Sequence, residues 1–261
     1  MNAQYGDVSV MLEEHVAFVE IHRPPHNFFD HELVKALADS FEALDQDPAC
    51  RALVLASEGK SFCAGADFKQ RALTRGGDPE SVGASHIYRE AVRLFACEKP
   101  AVAAIHGAAV GGGLGLALVA DFRVVSPEAR FAANFVRLGI HPGFGLTYTL
   151  PRLIGIQRAS LMFLTGRRIA GEEAVAWGLG DALVAPDRLR ETAKQLAAEI
   201  AEGAPLAVRS TRMTLRRGLA EAVKAQTDHE FSEQSWLIQT EDHREGVRAV
   251  EERRQGRFVG R

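Results

Sequence analysis

The sequence predicts an α/β protein with a mostly parallel sheet and a helical C-terminal region, and three features carry that prediction. Residues 52–56 are wholly apolar, as in a strand covered on both faces. Short apolar runs alternate with segments of helical period up to about residue 125, which calls for right-handed βα crossovers. Beyond Pro186 the chain becomes almost wholly helical, and its end carries many charges.

The elements follow in order. Val8–Leu12 and Val16–Ile21, around Glu13 to His15, predict a β-hairpin. Arg23-Pro24-Pro25-His26-Asn27 ends it, because proline removes a backbone donor and fixes φ. Asp30 is placed to N-cap a helix whose apolar stripe is Leu33, Val34, Leu37, Phe41 and Leu44, and which stops near Asp47-Pro48. After the 52–56 strand, Ser61–Gly65 predicts a turn, Ser85–Ala96 a helix and Val102–Ile105 a strand. Leu114–Val119 then predicts a helix and Phe122–Val125 a strand. Pro186 suits a first helical position, and Pro205 opens a further helix. The chain therefore divides into a core of residues 1–200 and a helical region of residues 201–261. The latter cannot bury a core of its own and is expected to pack on a neighbouring subunit.

The 261 residues, 46% of them hydrophobic, suffice for one substantial core. A net charge of −3 leaves no basic stripe, which argues against nucleic acid or an anionic membrane as partner. Cys50, Cys63 and Cys97 are odd in number and widely spaced. They fit neither a disulfide framework nor a zinc site, so no metal and a reducing, cytoplasmic location are expected. Met1–Glu14 lacks the apolar run of a signal peptide. Ala101–Ala120 carries no formal charge and matches a membrane span in length. Gly107, Gly111, Gly112, Gly113 and Gly115 crowd its middle, so strand, turn and buried helix is the better reading.

Two glycine-containing turns carry the chemistry. Phe62-Cys63-Ala64-Gly65-Ala66-Asp67-Phe68-Lys69 follows a buried strand, and Gly107-Ala108-Ala109-Val110-Gly111-Gly112-Gly113-Leu114 precedes a buried helix. Glycine at a helix start lets the chain approach a ligand and leaves orphan N–H groups pointing outward. Such donors, aided by the helix dipole, suit an oxygen that gains negative charge. Alone, either turn reads first as tight helix–sheet packing. Competing motifs fail: Gly111 to Leu116 lacks the third glycine of a dinucleotide fingerprint, and Val54 stands where a P-loop ending in Gly59-Lys60-Ser61 would begin with glycine. No G-x-S-x-G elbow and no H-E-x-x-H occurs.

Taken together, Phe62-Cys63-Ala64-Gly65-Ala66-Asp67, His106-Gly107 followed by Gly111-Gly112-Gly113, and Asp121-Phe122-Arg123 resemble the enoyl-CoA hydratase/isomerase (crotonase) superfamily. The likeness spans the chain. It includes Arg23-Pro24 with Asn27, Leu164-Thr165-Gly166 with Ala174 and Gly178-Leu179, and Glu241-Asp242-His243-Arg244-Glu245-Gly246 with Phe258. The resemblance implies a crotonase (ClpP-like) spiral of ββα units with a C-terminal helical trimerisation region, hence a homotrimer or a hexamer built as a dimer of trimers. It implies an acyl-CoA thioester as ligand, coenzyme A being part of the substrate rather than a separate cofactor. The amides of Ala66 and Gly112 would form the oxyanion hole. Ala64 and the segment 66–69, with Asp67 and Phe68, would line the pantetheine channel, and Lys69 and Arg23 would lie near the phosphates.

The pattern breaks at two positions. Members of the family that hydrate a double bond use two glutamates, and here those places fall on Gly115 and Phe135, neither of which can move a proton. Each lost acid or base typically costs about 10²–10⁴ in rate. His141, in the loop bordering the acyl pocket, is the replacement candidate, against a simple loop histidine bonded to backbone. Tyr148 and His86 are weaker ones; Asp67 is a turn residue and Cys63 a small buried thiol. Three readings follow: an acyl-CoA isomerase, lyase or hydrolase with another proton shuttle; a non-catalytic acyl-CoA binder; and a conventional enoyl-CoA hydratase of fatty-acid oxidation.

Overall fold

A computed structural model describes residues 2–66 and 84–261. Strands β1 (Asn2–Tyr5), β2 (Val8–Glu13) and β3 (Val16–Ile21) form an antiparallel meander in which Val10 faces Val19. The predicted hairpin is its second half; β1, too polar to signal a strand, was not foreseen. Helix α1 (His31–Gln46) starts as expected, with the Asp30 carboxylate accepting from Leu33 N at 2.9 Å. The chain continues through β4 (Ala52–Ser57), β5 (Ser61–Cys63), α2 (Ala84–Ala96), β6 (Ala101–Ile105), β7 (Ala108–Val110) and α3 (Gly112–Ala117). Next come β8 (Phe122–Val125), β9 (Arg130–Ala132), a 3-10 turn (Asn134–Leu138), α4 (Leu146–Ile154) and α5 (Ile156–Thr165). Then β10 (Arg168–Ala170), α6 (Gly171–Trp177) and β11 (Ala182–Leu183) precede the C-terminal helices α7 (Leu189–Glu202), α8 (Pro205–Leu215), α9 (Leu219–Leu237) and α10 (Glu241–Glu251).

Two sheets result. The larger has the order β1-β2-β3-β4-β6-β8-β11 and is parallel from β3 onward; the smaller has the order β10-β9-β7-β5. Each successive unit leaves one strand in each sheet: β4 then β5, β6 then β7, β8 then β9. This is the expected spiral. Where the sequence suggested only a turn at Ser61–Gly65 and a glycine loop after Gly107, the structure has β5 and β7. Three residues are too few to show a period, and their pairing partners lie far along the chain.

The wholly apolar strands have a direct explanation. Leu53 and Leu55 of β4 face one core, shared with α1 and α2, whereas Ala52, Val54 and Ala56 face a second one under α7. Ala193, Ala197 and Ala201, one helical turn apart, let α7 lie close on that sheet face. The boundary drawn between residues 200 and 201 falls inside α7, which belongs to the core. The C-terminal region also folds onto its own chain, α9 against α2 and α4, and α10 against the 3-10 turn. Pro186 opens a 3-10 turn rather than the helix itself. Among the described residues no helix is long and apolar enough to cross a membrane.

Candidate functional site

The first bend leaves β5 at Ala64–Gly65–Ala66. Phe29 N–H donates to the Gly65 carbonyl at 3.0 Å, and Phe29 and Ala66 form an isolated parallel bridge. In a planar trans peptide the carbonyl and the following N–H point in opposite directions. With the Gly65 carbonyl aimed at Phe29, the Ala66 N–H is therefore turned away, and no acceptor among the described residues meets it. Gly65 has φ +86°, and a Cβ there would lie 2.7 Å from the Val110 carbonyl oxygen and 3.9 Å from Gly112 N. Glycine is what lets the first bend press against the second.

The second bend joins β7 to α3. Gly111, at φ +57°, donates its N–H to the Ala132 carbonyl, and its own carbonyl accepts from Leu114 and Gly115. The Gly112 N–H, in the first turn of α3, has no acceptor among the described residues. The ring of Phe29 lies on Gly112, where any Cβ would collide with it. Helix α3 has only six residues, so the dipole invoked from sequence is small, and the N–H groups themselves are the asset. Gly107 and Gly113 serve packing: a Cβ on either would strike the Lys60 or the Cys63 carbonyl.

Both bends line a cavity of about 650 Å³. Its wall is largely aromatic and aliphatic, with Phe28, Phe29, Phe135, Ile140, Phe144 and Val250, and Arg130, Arg168 and Arg253 also line it. Several polar side chains in it were not singled out from sequence, among them Tyr88, Asn134 and Gln234. The Tyr88 hydroxyl donates to Gln234 Oε1 at 2.7 Å, and Gln234 Nε2 donates to the His141 carbonyl at 2.8 Å. The position of Asn134, next to Phe135, which was expected from the sequence at a glutamate's place, was the available signal. Nothing in the sequence ties Tyr88 to a residue on α9.

The residues expected to form the site divide accordingly. Ala64, Ala66, Gly112 and Phe135 line the cavity together. Gly115 does not: the ring of Phe144 occupies the space where its Cβ would go. Arg23 is engaged by Asp7 at 2.5 Å and Asp30 at 2.8 Å, and is not among the described residues lining the cavity. His141 also falls outside that lining. Its Nδ1 pairs with the Pro142 carbonyl at 2.8 Å and its ring stands edge-on to His229, so its placement gives a proton-transfer role no support. Tyr148 lies under the Arg152 guanidinium. Cys63 is fully buried, and burial pushes its thiol up to about 12, which leaves no nucleophile. Asp67, Phe68 and Lys69, and the side chain of His86, lie outside the described residues.

The sequence model of the enoyl-CoA hydratase/isomerase family matches residues 12–261. The chain belongs to that family. This enoyl-CoA hydratase/isomerase family member is 33% identical over 260 residues to the crotonyl-CoA hydratase of Syntrophomonas wolfei, covering 98% of this chain and 99% of the relative. It is 34% identical over 255 residues to the short-chain-enoyl-CoA hydratase of Clostridium acetobutylicum, covering 96% and 97% of the two chains. A crystal structure of an enoyl-CoA hydratase/isomerase from Pseudoalteromonas atlantica superposes with a TM-score of 0.85 at 30% identity, covering 97% of this chain and all of that one. The spiral of two sheets is thus the crotonase fold.

Proposed function

We propose that this protein binds an acyl-CoA thioester and polarises its carbonyl between the N–H groups of Ala66 and Gly112, stabilising an enolate-like or tetrahedral oxyanion. The observation that carries this reading is the pair of N–H groups that meet no acceptor among the described residues, on two bends held together by Gly65, at one cavity. Each preorganised donor of this kind is worth roughly 3–4 kcal/mol to a developing oxyanion. Coenzyme A enters as part of the substrate, and no separate cofactor is invoked.

The reaction assigned here is isomerisation, carbon–carbon cleavage or thioester hydrolysis rather than hydration by a glutamate pair. Gly115 carries no side chain and is covered by Phe144, and Phe135 presents a hydrocarbon ring to the cavity. A conventional hydratase is the second reading, favoured by the relatives named crotonyl-CoA hydratase and short-chain-enoyl-CoA hydratase. A binder without chemistry is the third. The two readings built on catalysis separate in a single assay. The protein should bind crotonyl-CoA in a calorimeter yet hydrate it about 10²-fold or more below a hydratase with both glutamates. Turnover at an ordinary hydratase rate would contradict the reading, and absence of binding to any CoA ester would end it. The family likeness also supports a homotrimer or a dimer of trimers, for which Leu206 and Leu215 on α8, each more than three-quarters exposed, offer apolar surface.

A further inference from the structure

Helix α9 presents Gln226, Glu230 and Gln234 at intervals of four, on one face. All three spend their side chains on the segment from residue 141 to residue 147. Gln234 Nε2 donates to the His141 carbonyl at 2.8 Å. Gln226 Nε2 donates to Thr147 Oγ1 at 2.8 Å, which directs the Thr147 hydroxyl proton onto Glu230 Oε1 at 2.5 Å. Glu230 accepts two further bonds, from Thr147 N–H on Oε1 at 3.0 Å and from Gly145 N–H on Oε2 at 2.7 Å. It has no exposed surface. The N-cap of α4 is Gly145, which has no side chain to offer, so a carboxylate from another helix does the capping.

What this clamp holds is unusual backbone. Phe144 at φ +65° and Gly145 at φ +71° are consecutive left-handed residues, a conformation that crowds the Cβ of a phenylalanine against the following carbonyl oxygen. The conformation turns the Phe144 ring inward, almost wholly buried, into the space above Gly115. Its centroid lies 5.8 Å from that of Phe29, the ring that rests on Gly112. A continuous set of contacts therefore runs from Glu230 through Gly145 and Phe144 to the bend that carries the Gly112 N–H.

We infer that Glu230 is a positioning residue that fixes Phe144 over Gly115 and thereby sets the depth of the acyl pocket. The inference rests on the acyl-CoA reading above. Replacing Glu230 by Gln keeps the volume but leaves one oxygen for donors that now meet two, so either Gly145 or Thr147 loses its acceptor. Phe144 is then free to swing from Gly115, and the pocket deepens.

The test is calorimetric titration of the full chain with acetyl-CoA and hexanoyl-CoA at about pH 8, where the Glu230 carboxyl is ionised, in wild type, Glu230→Gln, Phe144→Ala and the double variant. Phe144→Ala should raise the preference for hexanoyl-CoA at least about threefold, a small part of what pocket misfits are worth. Glu230→Gln should move the same ratio in the same direction, and the double variant should match Phe144→Ala alone, because both changes act through one ring. A change in chain-length preference is something a general loss of stability does not produce. If Glu230→Gln does not fold, Thr147→Val, which removes the hydroxyl that donates to Glu230 and accepts from Gln226, should shift the ratio the same way. An unchanged ratio in Glu230→Gln, or in Thr147→Val where that replaces it, or in Phe144→Ala, overturns the inference while wild-type binding keeps the acyl-CoA reading intact. Failure of wild type to bind either ester removes that reading and the inference with it.

Discussion

A side chain on Gly112 would run into the ring of Phe29, and one on Gly115 would run into Phe144. Gly112 and the two phenylalanines line the end of the cavity where chemistry is proposed, with Gly115 behind the Phe144 ring, and they were only half legible beforehand. The glycines announce a close approach, but what approaches them comes from elsewhere in the chain. Glu230 is the plainest case, since a glutamate on an otherwise charged C-terminal helix gives no sign of burial. Burial pushes its carboxyl up to about 7 from the ordinary 4.5, although the Thr147 hydroxyl and the amides of Thr147 and Gly145 pull it back down. Between those two values the folded chain keeps a proton that the unfolded chain has released, so stability declines as pH rises from about 4.5 to about 7. Glu230→Gln has no proton to lose there. Urea midpoints measured at pH 5 and pH 7.5 should differ for wild type and differ less for the variant; parallel shifts in both would contradict this assignment.

At the scale of elements, the signals that worked were caps and stripes. Asp30 caps α1 through Leu33 N–H as its position suggested, and Leu33, Val34, Leu37, Phe41 and Leu44 are all buried. Asp30→Ala should cost at least about 1 kcal/mol, the usual worth of a cap, read as a lowered denaturation midpoint at unchanged slope. It also frees Arg23 from one of its two carboxylates, so the loss should exceed that of a cap alone; a change within error of zero would show the cap to be idle. No element was predicted between residues 126 and 185, where β9 to β11 and α4 to α6 lie, and β1, β5 and β7 also escaped notice. The last two are three-residue strands whose existence depends on neighbours in a second sheet, which no local pattern encodes. Pro186 misled for a simple reason: it suits the first position of a 3-10 turn as well as that of a helix.

For the whole molecule, the alternation of strands and helices predicted a mostly parallel sheet covered on both faces, whereas the spiral of two sheets was implied only by the family resemblance. The small sheet with α1 and α2 supplies one cover and α7 the other. That arrangement brings the end of β5 and the end of β7, forty-six residues apart between Ala66 and Gly112, to one rim of the cavity. The account depends on those two N–H groups sharing a thioester oxygen. Infrared difference spectroscopy of a bound CoA ester, with and without ¹³C at the thioester carbonyl, reports on that contact directly. Two charge-stabilising donors should lower the carbonyl stretching frequency of the bound ester clearly below its value in water. A bound ester whose carbonyl absorbs at or above the free frequency would contradict the account.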